Sequence, residues 1–390
     1  MRFLLLGLVL LTWPARPARG QGSVTSWKPV AELLVRRMAL KRGERVLLVG
    51  QAGEADSLVP VLRAAIAKAG GVDLGAVALR GSWPDAWATD FTRRLAAVSA
   101  GELAGVVDDV DLGVMLPGAT PNDALYAALQ ERLRSGEGRT IHFHWAGAYQ
   151  LDGTLFAPTP AVDSLYRRVL LSTNYNALSA TQRAFERAMR AGEVRVTTPA
   201  GTDLRFSIGD RNVTRQDGDA SAARTSRGRV LIDREVELPA GAIRVAPIES
   251  SVSGKIAFPP GVWGGEPVEG LVMNFVAGQL TTFDATTGRA GVERELAQGG
   301  TAARAFREFA LGFNPLLAIR TDRGMTWIPY YGYGAGVARL SLGDNTELGG
   351  LVTGGYVRWN FFPDATVTVG TRVWVRAGRL QPRAGTRGRD

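Results

Sequence analysis

The sequence predicts an α/β first half, a largely parallel sheet with helices on both faces, followed by an α+β, strand-rich second half. Three observations carry this. Up to Ala191, short β-branched runs alternate with amphipathic stretches of roughly ten to fifteen residues, the rhythm of βαβ units. From Gly192 the texture changes to short strand-like pieces broken by Gly, Pro and Asp. A chain of 390 residues, 45% of them hydrophobic, is also long enough to bury two such cores.

Taken in order, Pro29 to Leu40 carries apolar residues at helical spacing. Lys41-Arg-Gly-Glu44 is a polar turn into the β-branched run Arg45 to Val49, and Ser57 to Ala69 is again amphipathic. Val72 to Leu79, Asp111 to Leu116 and Thr140 to His144 read as buried strands, with helical stretches such as Asp123 to Leu133 between them. Ser179 to Ala191 closes this half as a helix with Phe185 and Met189 on one face and arginines on the other. Beyond it, Glu193 to Ile208, Arg229 to Glu237, Ala242 to Ile248, Gly270 to Asp284 and Val352 to Val375 are strand-like, and Thr301 to Phe309 reads as the one interrupting helix. The polar loop Arg211 to Gly228 is expected to be exposed. Its Asp217-Gly-Asp219 lacks the later bidentate Glu of a calcium loop, so it reads as a solvated turn.

The ends have their own logic. Arg2 precedes an apolar run from Phe3 to Trp13, and a Pro/Ala/Arg stretch leads to Gly20, the pattern of a secretory signal. That run falls short of the ~20 residues that span a bilayer, and nothing later is long and apolar enough to do so. The expected organisation is a signal at 1–20, the α/β domain at 21–192, the strand-rich domain at 193–375 and a basic disordered tail at 376–390. Export to the periplasm or beyond follows, with a membrane anchor only if the signal stays uncleaved.

The net charge of +9 sits at those ends. Arg2, Arg16 and Arg19 supply three charges, and the tail from Arg376 a net four, which leaves +2 for everything between. A near-neutral body does not make a surface that tracks a phosphate backbone, so nucleic acid is excluded as a partner. With no cysteine, the chain has no disulfide framework, no thiol nucleophile and no thiolate metal site. It also lacks a phosphate-binding Gly-Lys-Ser/Thr loop and a Gly-x-Ser-x-Gly elbow. The two histidines, His142 and His144, would share one face of a strand ~6–7 Å apart. That spacing suits two ligands of one metal, but without a third ligand nearby a hydrogen-bonded structural pair is the better reading.

The second half carries a resemblance. Leu238-Pro-Ala-Gly-Ala-Ile-Arg-Val-Ala-Pro247 is similar to a Pro-Asp-Gly-Glu-Val-x-x-Ala-Pro motif. Gly265 to Val276 follows as a loop and strand, and Arg307-Glu-Phe-Ala-Leu-Gly-Phe-Asn-Pro315 is similar to Gly-Glu-x-x-x-Gly-x-Asn-Pro. Gly336 to Asn345 resembles Gly-Thr-x-His-x-Ala-Leu-Gly, and Val357-Arg-Trp-Asn360 stands where x-His-x-Asp would be. In this order, with the early turn at Lys41, these motifs resemble the aminopeptidase T family of metallopeptidases over most of the chain.

The resemblance implies a fold, a homodimer, and an activity that removes N-terminal residues from peptides at two divalent ions such as Zn, Co or Mn. It also implies that the ligand set is broken here. Ala242 stands at the first Glu and Ala240 at the Asp of the same motif. Arg339 and Arg358 stand at the two His positions, Asn360 at the Asp and Thr346 at a following Tyr, and only Glu308 matches a ligand. A guanidinium cannot bind a cation, so no metal cofactor is expected. Arg339 and Arg358 are instead expected to pair with Glu308, or to hold a carboxylate or phosphate of a peptide or small anionic ligand. The protein then reads as a non-catalytic binding module. The alternative is a working peptidase with a relocated site built from Glu249, Glu308, Asp344 and Glu347, joined by His142 or His144.

Overall fold

The computed structural model describes residues 26–145, 148–150, 160–322 and 325–382; the expected signal and the tail beyond Pro382 lie outside them. In the first half, strands Val72–Ala78, Arg45–Gly50, Leu112–Met115, Arg139–Phe143 and Glu235–Leu238 lie side by side in that order, all parallel. The central strand shows why the sequence reads as buried on both faces. Val46 and Leu48 feed one core, with helices Lys28–Met38 and Val59–Lys68, while Leu47 and Val49 feed another, with Asp90–Ala97, Leu103–Val107 and Ala124–Arg134. This is the helix-covered parallel sheet that the alternating texture predicts.

The second half is strand-rich and antiparallel. One sheet runs Val357–Phe362, Ala338–Gly343, Phe306–Gly312, Ala242–Val245 and Thr214–Arg215. A second, eight-stranded sheet runs from Gln279–Asp284 at one edge to Arg379–Leu380 at the other. Aromatic side chains join these sheets to the helix Tyr175–Ala191: Phe185 stacks on Phe309, Phe313 and Trp374, and Phe206 on Phe306 and Phe309. No described helix is long and apolar enough to cross a membrane.

Three expectations are corrected, and one unforeseen helix is added. The fifth strand of the parallel sheet, Glu235–Leu238, comes from beyond the expected boundary near Gly192, so the chain returns to its first sheet before building the second. Thr301 to Phe309 is not a helix. Only Gly300–Ala303 is helical, and Phe306–Gly312 is a strand buried on both faces, whose mixed residues break the strand alternation. The helix of this region, Arg289–Gln298, was hidden by its charges, with Val292 and Leu296 its buried stripe. The loop 211–228 is packed rather than solvated: Gln216 and Asp217 are buried, with Gln216 donating to Glu235 O and its carbonyl accepting from Gly241 N.

Two glycines of the recognised motifs are fixed by close approach. A Cβ at Gly312 would sit 2.1 Å from Gly334 O, and one at Gly343 1.9 Å from Tyr356 O, with a φ of +124° besides. Only glycine lets these backbones meet.

Candidate functional site

Three of the five positions that the resemblance matches to ligands, Ala242, Glu308 and Arg339, lie on one face of the five-stranded sheet. In antiparallel register, Ala242 faces Gly312 and Arg244 faces Ala310. Ala310 faces Arg339, and Glu308 faces Ser341. Side chains two apart along a strand share a face, so Ala242, Arg244, Glu308, Arg339 and Ser341 all point to the same side.

At the centre is Glu308, fully buried. Arg244 grips it with two prongs, Nη2 to Oε2 at 2.9 Å and Nε to Oε1 at 3.2 Å. Arg339 donates to Oε1, and Arg307 places its Nε 3.4 Å from Oε2. Arg244 and Arg307 both reach on to Glu347, a carboxylate on the rim. Burial would push the Glu308 carboxyl up, but Arg244, Arg339 and Arg307 outweigh it and hold it well below the usual carboxylate range. In return Arg244, despite its burial, is held still more firmly protonated by Glu308 and Glu347.

Half of the expected pairing is therefore present and half is not. Arg339 reaches Glu308, whereas Arg358 does not. Register decides this: Arg339 faces Phe361 and Ser341 faces Trp359, so Trp359 and Phe361 occupy the site face and Arg358 and Asn360 point to the other. There Arg358 donates to Glu295 at 2.8 Å and lies 3.5 Å from the centre of the Trp263 ring. Asn360 donates to Leu340 O at 3.2 Å. Arg339 and Arg358 thus form no shared anion site. Arg244 and Arg307 complete the cluster in place of Arg358. The signal for Arg244 was its position two residues along the strand from Ala242, and for Arg307 its adjacency to Glu308.

The carboxylates of the relocated-site reading do not converge. Glu249 pairs with Arg211, and Asp344 accepts from the backbone of Thr346, Gly354 and Gly355. Only Glu308 and Glu347 meet, and they do so through shared arginines. Among the described residues no group of three or more His, Asp or Glu could hold a metal ion.

The histidines of the first half do approach this region. Aromatic contacts run from His142 to His144, from His144 to Tyr330 and Tyr331, from Tyr331 to Trp359, and from Trp359 to the Arg339 guanidinium. Tyr330 and Tyr331 both have positive φ, 35° and 46°, a strained pair of the kind that collects at functional sites. Below them, His142 is hydrogen-bonded to the Tyr126 hydroxyl and lies 4.0 Å from Glu235, which accepts from Gln130 Nε2 at 2.9 Å. Burial pushes the Glu235 carboxyl up to about 8, with Glu347 and Glu237 adding to it, and depresses His142 to about 3. The neighbouring Glu237 accepts from the hydroxyls of Tyr330 and Tyr333, which burial and its charge keep neutral. Sequence reasoning missed Glu235 and Glu237, because only the return of that strand to the first sheet sets them beside the histidines.

No family model and no curated relative matches this chain. Solved structures do. The 2,5-dihydroxypyridine dioxygenase of Pseudomonas putida KT2440 superposes with a TM-score of 0.62 at 16% identity, over 93% of this chain and 99% of that one. The wild-type aminopeptidase T of Thermus thermophilus superposes with a TM-score of 0.58 at 18% identity, over 90% of this chain and 98% of that one. The fold is aminopeptidase T-like. At these identities the likeness extends to the fold, which hosts two different chemistries in these neighbours and so does not by itself fix a function.

Proposed function

We propose that this protein is an exported, non-catalytic binding module on an aminopeptidase T-like scaffold. The observation that supports this is Glu308 held by three guanidinium groups. A pair of divalent ions needs several carboxylate and imidazole donors around an open space. Here the one carboxylate that matches a ligand position already spends its oxygens on Arg244, Arg339 and Arg307. Those charges repel a cation, so the donor set does not fit two metals. The ligand on this reading is a peptide or a small anion rather than a peptide to be cleaved.

Elemental analysis of the purified mature protein, paired with an assay on leucine p-nitroanilide, tests the reading. Metal well below one equivalent, and no hydrolysis after addition of Co²⁺, Zn²⁺ or Mn²⁺, is the expected result. Two bound metals with turnover would replace the binding module by a working peptidase.

A further inference from the structure

We propose that a second, separate site binds a small organic anion, a phosphate monoester or carboxylate with a short apolar body. It lies where the end of helix Lys28–Met38 meets the junction between Pro160–Ser172 and Tyr175–Ala191. A depression of about 300 Å³ opens there, lined by Leu33, Arg36 and Arg37 of the first helix and by Leu171, Tyr175 and Asn176 around the junction. That volume is at the small end of ligand sites, enough for a single ring with one charged group.

The charge in this depression is uncompensated. Its lining contains no Asp or Glu, and among the described residues neither Arg36 nor Arg37 forms a salt bridge. Arg139, Arg244 and Arg358, by contrast, are each held by a carboxylate. Tyr175 does not supply the missing charge. Burial pushes its hydroxyl up to about 12 against the pull of Arg37 and Arg36, and that hydroxyl donates to Leu170 O at 2.9 Å.

The site is also built in advance. The Arg37 guanidinium lies 4.6 Å from the centre of the Tyr175 ring, a cation–π contact that restricts its movement. The Arg37 carbonyl is pinned by Ala220 N. Thr173 is locked between Val169 O and Asn314 Nδ2, and Asn174 has its Oδ1 committed to Ala177 N. Leu171, 37% exposed, leaves apolar surface at the rim. Two positive forks beside an apolar wall are complementary to an amphiphilic anion. This inference is independent of the arginine cluster around Glu308.

The test is calorimetric titration of the mature protein with phenyl phosphate. Saturable binding is expected, weakened about tenfold by Arg36→Gln or Arg37→Gln, each with an unchanged melting temperature. Benzylamine, with the same ring and the opposite charge, is expected not to compete. Inorganic phosphate should bind about tenfold more weakly than phenyl phosphate. Phosphatidic acid vesicles should leave the affinity for phenyl phosphate unchanged, which assigns a free small molecule; competition by them overturns that source. No saturable binding, or binding indifferent to both substitutions, overturns the site. Inorganic phosphate binding as tightly as phenyl phosphate overturns the role of the apolar wall.

Discussion

Arg244 and Glu308 meet as a two-pronged ion pair across neighbouring strands, with both side chains cut off from water. Desolvating two charges is expensive, and the pair is tolerable because Arg339, Arg307 and Glu347 extend it into a network. Breaking such a network is costly because the partner charge stays buried.

Glu308→Gln is therefore expected to lower stability by about 3–5 kcal/mol, since it leaves three guanidinium groups around a neutral amide. Urea unfolding of the purified protein measures it. The triple substitution Arg244→Met, Glu308→Leu and Arg339→Met removes charge and countercharge together and should cost far less. Equal losses in the two variants would show that lost packing, not unpaired charge, dominates.

How far the sequence reached follows from what each signal depends on. The parallel sheet was legible because strands buried on both faces, such as Val46 to Val49, are continuous apolar runs. Arg339 was placed on the site face because its motif keeps the spacing from Gly336 to Gly343. Arg358 and Asn360 were misplaced because a one-residue change in register exchanges the faces of a strand, and no local residue reports that change. Glu235 and Glu237 were out of reach for another reason. Their neighbours His142, Tyr330 and Tyr333 come from distant parts of the chain, and only the tertiary pairing of Glu235–Leu238 with Arg139–Phe143 assembles them.

Glu235 makes the stability of the protein depend on pH. Its carboxyl is raised from 4.5 to about 8 in the fold, by burial first and by Glu347 and Glu237 next. Below pH 4.5 both folded and unfolded chains carry the proton and there is no penalty. Between 4.5 and 8 only the unfolded chain ionises, so stability falls, and above 8 the loss is complete. Glu235→Gln should remove this slope and leave the variant more stable by about 2–4 kcal/mol at alkaline pH. Urea midpoints at pH 5 and pH 9 check it. A wild-type slope retained in the variant would assign the pH dependence to another group.

His142 should behave in the opposite sense. Burial depresses its imidazole from 6.5 to about 3, so the folded protein keeps it neutral. As pH falls below 6.5 the unfolded chain takes up the proton and the folded one does not, which costs stability down to pH 3. A nitrogen–proton correlation spectrum of the imidazoles should show no movement of the His142 signals between pH 5 and pH 7, below the range in which the neighbouring Glu235 ionises. A midpoint between 6 and 7 would mean that the ring is hydrated and that its contact with Tyr126 is not maintained.

Arg358 separates the two faces of its strand experimentally. If register turns it away from Glu308, its partners are Glu295 and the Trp263 ring, and its role is to fasten helix Arg289–Gln298 to the sheet. Arg358→Ala should then cost about 1–3 kcal/mol through the lost ion pair and ring contact. A double-mutant cycle with Glu295→Ala should return a coupling of about 0.5–3 kcal/mol, while the cycle with Glu308→Gln should be close to additive. The reverse pattern, coupling to Glu308 and none to Glu295, would place Arg358 on the face of the arginine cluster. It would then stand at the second histidine position, and the register of this edge strand would have to be shifted by one residue.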